Sequence, residues 1–135
     1  VTAALLDANV LVALAIADPV FHPRARAHLM VEGAMRPFAT CAVTQGAFLR
    51  VLMGAPHLVA PAQAFEILER IATSAAHTFW SDGFSYLEVP RERLRGPRQL
   101  TDAWLAELAR RKGAKLATFD KGLALAHPDV ADLIP

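Results

Sequence analysis

The chain has 135 residues, 54% of them hydrophobic and 20% charged, with a mean hydropathy of +0.30. That combination fits one domain, residues 1–135, and excludes a disordered tail, which holds too little apolar surface to order itself. A net charge of +1 and a pI near 8.2 exclude a strongly basic nucleic-acid arm, and a single cysteine, Cys41, excludes an intrachain disulfide.

In chain order, residues 3–7 read as a short buried strand ending on a carboxylate, Asp7. The apolar run 10–17 reads as a helix stopped by Asp18-Pro19. The stretch 3–17 has no basic residues before it, is interrupted by Asp7 and Asn9, and is too short to span a bilayer. A soluble, cytoplasmic protein with no membrane contact is expected. A second helix is expected over 23–32, ending near Gly33, and a second strand over 37–41, with Cys41 as a buried strand thiol. Thr44 is placed to cap a helix running to Met53, where Gly54-Ala55-Pro56 ends it. A longer helix is predicted over 61–74, with Phe65, Leu68, Ile71 and Ala72 on one face. Residues 77–100, rich in Pro, Gly and Arg, read mostly as loop. Thr101 looks like the cap of a helix to Lys112, ended by Gly113. A third strand over 116–119 ends on Asp120, a short helix covers 121–126, and Leu133-Ile134 forms an edge strand.

Strands alternating with helices predict an α/β fold, a central parallel sheet covered by helices on both faces. In such sheets ligands gather beyond the carboxyl ends of the strands, where Asp7 and Asp120 both fall. Asp102 lies in the first turn of the helix after Thr101. Helix capping and the helix dipole account for each aspartate taken singly. Taken together, converging carboxylates repel one another unless a cation lies between them. A hard divalent ion such as Mg²⁺ or Mn²⁺, held by oxygen ligands and water, meets that need. The five histidines have no zinc-ligand spacing and read as surface or supporting residues, and there is no HExxH pattern. Carboxylates, a hard metal and no P-loop point to phosphodiester chemistry.

Four segments then resemble the motifs of PIN domains, in order and across essentially the whole chain. They are Leu5-Leu6-Asp7-Ala8-Asn9-Val10, Thr44-Gln45-Gly46-Ala47-Phe48-Leu49-Arg50, Leu100-Thr101-Asp102-Ala103-Trp104 and Thr118-Phe119-Asp120-Lys121-Gly122. The style of the segments resembles the VapC ribonucleases of VapBC toxin–antitoxin systems. The resemblance implies an α/β/α sandwich carrying a metal-dependent endoribonuclease toxin, with RNA as substrate. A VapB-like antitoxin would block its site, and a homodimer is expected. It makes Asp7, Asp102 and Asp120 the metal-binding acids, with Asn9 orienting Asp7 and Thr118 supporting the site or touching a metal water. Thr44 and Arg50 would flank the site, Arg50 holding a phosphate or a carboxylate. The products expected from the family pattern carry a 5′-phosphate and a 3′-hydroxyl.

One departure matters. Where many PIN domains carry Glu, this chain has Gln45, which still offers an amide oxygen but lowers the site's charge by one. Weaker metal binding is expected, with Asp82 or water compensating, although a solvated turn accounts for Asp82 equally well. A binding module that holds RNA or antitoxin without cutting is the alternative function. A phospho-accepting receiver domain fits poorly, because its middle strand would end on Thr40 and Cys41.

Of the 14 basic residues 11 are arginine, the side chain whose planar fork suits phosphate oxygens. Arg91, Arg93, Arg95 and Arg98 crowd the segment before Asp102 and read as phosphate contacts at the cleft mouth. Trp104 reads as core rather than as a base-stacking surface, a role also open to Trp80. Phe48, Leu49, Leu52, Met53, Phe65 and Leu68 line either a partner groove or ordinary core.

Overall fold

The computed structural model describes residues 2–81 and 83–135. The expected compensation by Asp82 therefore lies outside the described residues. Five strands form one parallel sheet: β1 (Ala4–Leu6), β4 (Phe38–Cys41), β5 (His77–Trp80), β6 (Leu116–Thr118) and β7 (Ala131–Leu133), in the order β5-β4-β1-β6-β7. The first strand lies at the centre, with Leu5 opposite Ala39 on one neighbour and Leu116 on the other.

Successive side chains on these strands point to opposite faces, and the two cores follow that alternation. Leu5, Ala39 and Leu116 face one layer, built from α5 (Leu100–Arg111) and α6 (Lys121–Ala126), with Trp104, Leu105, Leu108 and Leu123. Leu6, Phe38 and Ala117 face the other, built from α1 (Ala8–Ala15), α2 (Phe21–Leu29), α3 (Ala42–Met53) and α4 (Pro61–Ala72). Both faces are thus covered, as the predicted α/β/α sandwich requires. Among the described residues no helix is long and apolar enough to cross a membrane.

Several elements differ from the expectation. The second helix stops at Leu29, and a small antiparallel hairpin follows, β2 (Met30–Val31) with β3 (Ala34–Met35). Its two turn residues, Glu32 and Gly33, have φ of 54° and 79°, the pair of positive values a two-residue hairpin turn needs. Residues 77–80 form β5, a true strand in a segment expected to be loop. Thr44 is not the cap of α3. Cys41 is, and Thr44 stands at the third helical position, where its Oγ1 accepts from Cys41 N at 3.0 Å. On α4 the buried residues are Ala64 and Leu68, whereas Phe65 is 57% exposed. Phe48, Leu52 and Leu68 belong to the core, so of that set Phe65 alone is an exposed apolar side chain. Trp104 and Trp80 are both buried, and Cys41 is a buried strand thiol.

Candidate metal centre

The chain leaves β1 at Asp7 and turns at once into α1. Asp7 caps that helix, its Oδ1 accepting from Ala8 N at 2.8 Å. Its second oxygen accepts from the hydroxyl of Thr118, 2.7 Å away on the adjacent strand β6. Because Leu6 pairs with Ala117, the next residue on each strand emerges side by side at the carboxyl edge. Thr118 is fully buried, and its oxygen also accepts from Asp120 N at 3.0 Å and from Asn9 Nδ2 at 3.4 Å. Asn9 Oδ1 in turn accepts from Phe119 N at 3.3 Å. Asn9 therefore reaches Asp7 through Thr118.

Asp120 caps α6, its Oδ1 accepting from Leu123 N at 3.1 Å. A Cβ on Gly122 would stand 3.2 Å from that same oxygen, so glycine keeps the approach to Asp120 open. Asp102 lies in the first turn of α5 and lines a cavity of about 160 Å³ with Asp120, Gly122, Arg98, Gln99 and His127.

Asp102 feels both other acids, and Asp7 feels Asp120. Burial raises the Asp102 carboxyl to about 6, with the charges of Asp7 and Asp120 adding to the rise. Asp7 is also raised, first by burial and then by Asp120, against the opposing hydrogen bonds from Thr118 and Ala8. A carboxylate cluster that resists full ionisation is stabilised by a cation. The donors are all oxygen, which suits Mg²⁺ or Mn²⁺ rather than zinc. Among the described residues no three His, Cys, Asp or Glu side chains converge tightly enough to ligate one ion directly. Magnesium ordinarily keeps several waters and takes one or two carboxylates, so the donor set fits that mode of binding.

Gln45 stands on the first turns of α3, and its Nε2 donates to Thr40 Oγ1 at 3.0 Å. Thr40 Oγ1 lies 2.7 Å from His77 Nε2, and His77 Nδ1 lies 3.1 Å from the carbonyl of Ala72. A carbonyl only accepts, so Nδ1 carries the proton, Nε2 accepts from Thr40, and the Thr40 oxygen is left to accept from Gln45. This chain of bonds turns the amide nitrogen of Gln45 to Thr40 and leaves Oε1 for other partners.

The remaining predicted residues are dispersed. Thr44 is buried and serves the start of α3, and Arg50 is exposed in its last turn. Of the arginine run, Arg98 lines the cavity beside Asp102. Arg93 pairs with Asp129 at 3.0 Å, and Arg91 donates to the Leu87 carbonyl at 3.2 Å. Arg95 is exposed, with its backbone N–H bonded to Gln99 Oε1 at 2.6 Å. Sequence reasoning missed Gly122 and His127. The latter is 4% exposed, which leaves the supporting rather than the surface half of the reading given to the histidines.

A strand-end pair of acids joined through a buried threonine, with a third acid in the first turn of α5, defines an α/β protein with a cluster of carboxylates at the carboxyl end of its sheet. The chain belongs to the PIN domain family, whose model matches residues 4–127. Over 97% of its length it is 44% identical to Ribonuclease VapC29 of Mycobacterium tuberculosis, covering 96% of that protein. It is 41% identical over 90% of its length to Ribonuclease VapC44 of the same species, covering 89% of that protein. The crystal structure of PAE2754 from Pyrobaculum aerophilum shares the fold, with a TM-score of 0.63 at 23% identity, over 98% of this chain and 84% of that one.

Proposed function

We propose that the chain is a divalent-metal-dependent endoribonuclease of the VapC type, a toxin held in check in the cytoplasm by a VapB-like antitoxin. The observation that carries the reading is the clustering of acids at one end of a PIN-family sheet, with Asp7 and Asp120 joined through Thr118 and Asp102 sharing a cavity with Asp120. Relatives that bear the names Ribonuclease VapC29 and VapC44 support RNA as the substrate and an antitoxin as the partner. A homodimer completes the reading.

Asp7, Asp102 and Asp120 are the residues that would hold Mg²⁺ or Mn²⁺. When bound, such an ion supplies acidification of water and charge stabilisation at the leaving oxygen. The protein's own part is positioning. Thr118 fixes one oxygen of Asp7, Ala8 N fixes the other, and Leu123 N fixes Asp120. Arg98, at the cavity rim, meets the phosphodiester charge. Water attacks phosphorus in line with the departing 3′-oxygen, the bond from phosphorus to that oxygen breaks, and the products carry a 5′-phosphate and a 3′-hydroxyl.

The test is cleavage of a mixed RNA pool by the antitoxin-free protein in Mg²⁺, in Mn²⁺ and in EDTA, beside Asp7→Asn. Cutting is expected with metal and not with EDTA or with the variant. Binding of RNA without cutting under either metal would assign a binding module instead, with Gln45 as the position of the lost acid.

A further inference from the structure

The cavity beside the acids has a second wall. His127 lines it with Arg98, Asp102 and Asp120, and it lines a neighbouring cavity with Arg93 and Arg110. Its ring is placed by main chain on both sides. His127 N donates to Leu123 O at the end of α6, and its carbonyl accepts from Val130 N and Ala131 N at the approach to β7.

On one edge the ring meets two guanidinium groups. Arg110 Nη2 stands 2.9 Å from Nδ1 and Arg93 Nη1 stands 3.5 Å from it. A guanidinium has donors and no acceptor, so Nδ1 accepts and the neutral ring carries its proton on Nε2. Both arginines are themselves anchored on Asp129, Arg110 through Nε at 2.6 Å and Arg93 through Nη1 at 3.0 Å. Burial, then Arg110 and Arg93, push the histidine below its ordinary range, so the ring is neutral near pH 7. Among the described residues Nε2 has no hydrogen-bond partner, and it is not a sealed orphan. One fixed donor is therefore left over at the wall of the acidic cavity.

We propose that His127 Nε2–H, together with the Arg98 guanidinium, holds a non-bridging phosphate oxygen of single-stranded RNA in the cavity that they line with Asp102 and Asp120. The acids supply the cavity's cation-binding groups and these two donors its anion-binding groups. Arg110 and Asp129 act behind His127, fixing which ring nitrogen carries the proton. The proposal rests on the nuclease reading and names how that site grips its substrate.

The experiment uses a single-stranded RNA decamer and the wild-type protein with His127→Phe and His127→Gln. Phenylalanine keeps the ring and removes the donor, while glutamine restores an N–H at a similar reach. In EDTA the decamer should bind the Phe variant roughly tenfold more weakly than wild type, the loss of one hydrogen bond to a charged group, and the Gln variant should recover most of that. With Mg²⁺ the Phe variant should show a raised KM and a little-changed kcat. In wild-type protein the imidazole nitrogen resonances of His127 should report the proton on Nε2, and that signal should shift when the decamer is added. This last measurement decides the matter even if the Phe variant fails to fold. An unmoved Nε2 signal, or both variants binding as wild type, overturns the proposal. So does a Gln variant as weak as the Phe variant with an equally lowered melting temperature, which would make His127 structural. If wild type cuts RNA while these results are negative, only the role of His127 falls. If wild type neither cuts nor binds, the nuclease reading falls with it.

Discussion

Thr118 donates its hydroxyl proton to Asp7 Oδ2 across 2.7 Å, joining two residues 111 positions apart in the chain. The same oxygen accepts from Asp120 N and Asn9 Nδ2, so one buried hydroxyl ties two of the acids into a single unit. Valine matches threonine in shape and lacks all three bonds. Thr118→Val should lose about 1–3 kcal/mol of stability, since Asp7 Oδ2 and Asp120 N each lose a part-buried hydrogen bond. Urea denaturation should show a lower midpoint with an unchanged slope. A midpoint equal to wild type would remove Thr118 from the support of the site.

Proton binding by Asp102 predicts a pH dependence with a definite sign. Its folded carboxyl titrates at about 6 against a reference of 3.8, so the folded state holds the proton more tightly. That contribution to stability is complete below 3.8 and is lost as pH rises through about 6. In EDTA, Asp102→Asn should therefore gain stability relative to wild type between about pH 4 and about pH 6, and the difference should level off above that. Parallel curves for the two proteins over that range would contradict the raised value.

The same protons compete with a cation. Mg²⁺ should raise the melting temperature clearly above pH 6 and little below it, because Asp102 and Asp7, both raised, must ionise to bind. At one hundred times Kd the stabilisation should approach about 2.7 kcal/mol. Asp120→Asn should abolish most of the shift. A magnesium effect of equal size in that variant would place the ion elsewhere.

Gln45→Glu adds a carboxylate where the amide now donates to Thr40. Mn²⁺ affinity, followed by calorimetry, should tighten several-fold, because ligand charge is a principal lever on such sites. Metal-free stability should fall by about 0.5–1.5 kcal/mol as the bond to Thr40 is lost. Unchanged affinity would mean that the Gln45 side chain does not reach the ion.

Two apolar residues three positions apart on α4 should behave differently. Phe65 is 57% exposed and Leu68 is 9% exposed. Phe65→Ser should change stability by less than about 0.5 kcal/mol, whereas Leu68→Ala should cost about 2–4 kcal/mol. Equal losses in thermal denaturation would mean that Phe65 is covered in solution.

The strands that end on acids were legible because a parallel strand buried on both faces reads as an unbroken apolar run, as in Leu5-Leu6 and Leu116-Ala117. The strand His77–Trp80 was not, because it lies at the sheet edge with Thr78 and Phe79 exposed, inside a segment whose neighbours are turn formers. The hairpin at 30–35 was hidden for a related reason. Its turn is Glu32-Gly33 rather than the Asn-Gly or Asp-Gly pair that announces such a turn. Asp7, Asp102 and Asp120 could be grouped from the sequence because each carries a local sign, a strand end or a first helical turn. His127 carries none. Its environment is made by Arg93 and Arg110, 34 and 17 positions away, and only tertiary structure brings them to one ring. The arginine run is adjacent in sequence but not in its contacts, since Arg91 bonds the Leu87 carbonyl, Arg93 pairs with Asp129 and Arg98 lines the cavity beside Asp102.

The central place of β1 in the sheet has a consequence for the order of synthesis. In synthesis Asp7 precedes Thr118 by 111 residues, and the strand that supplies Thr118 must slot in beside β1. Until β6 has emerged, one edge of β1 is bare, Asp7 has no threonine to hold it and Asp120 does not exist beside it. A chain that has reached β1 but not β6 therefore lacks both the hydroxyl that holds Asp7 and the second strand-end acid, and the carboxylate cluster assembles only when β6 joins the sheet.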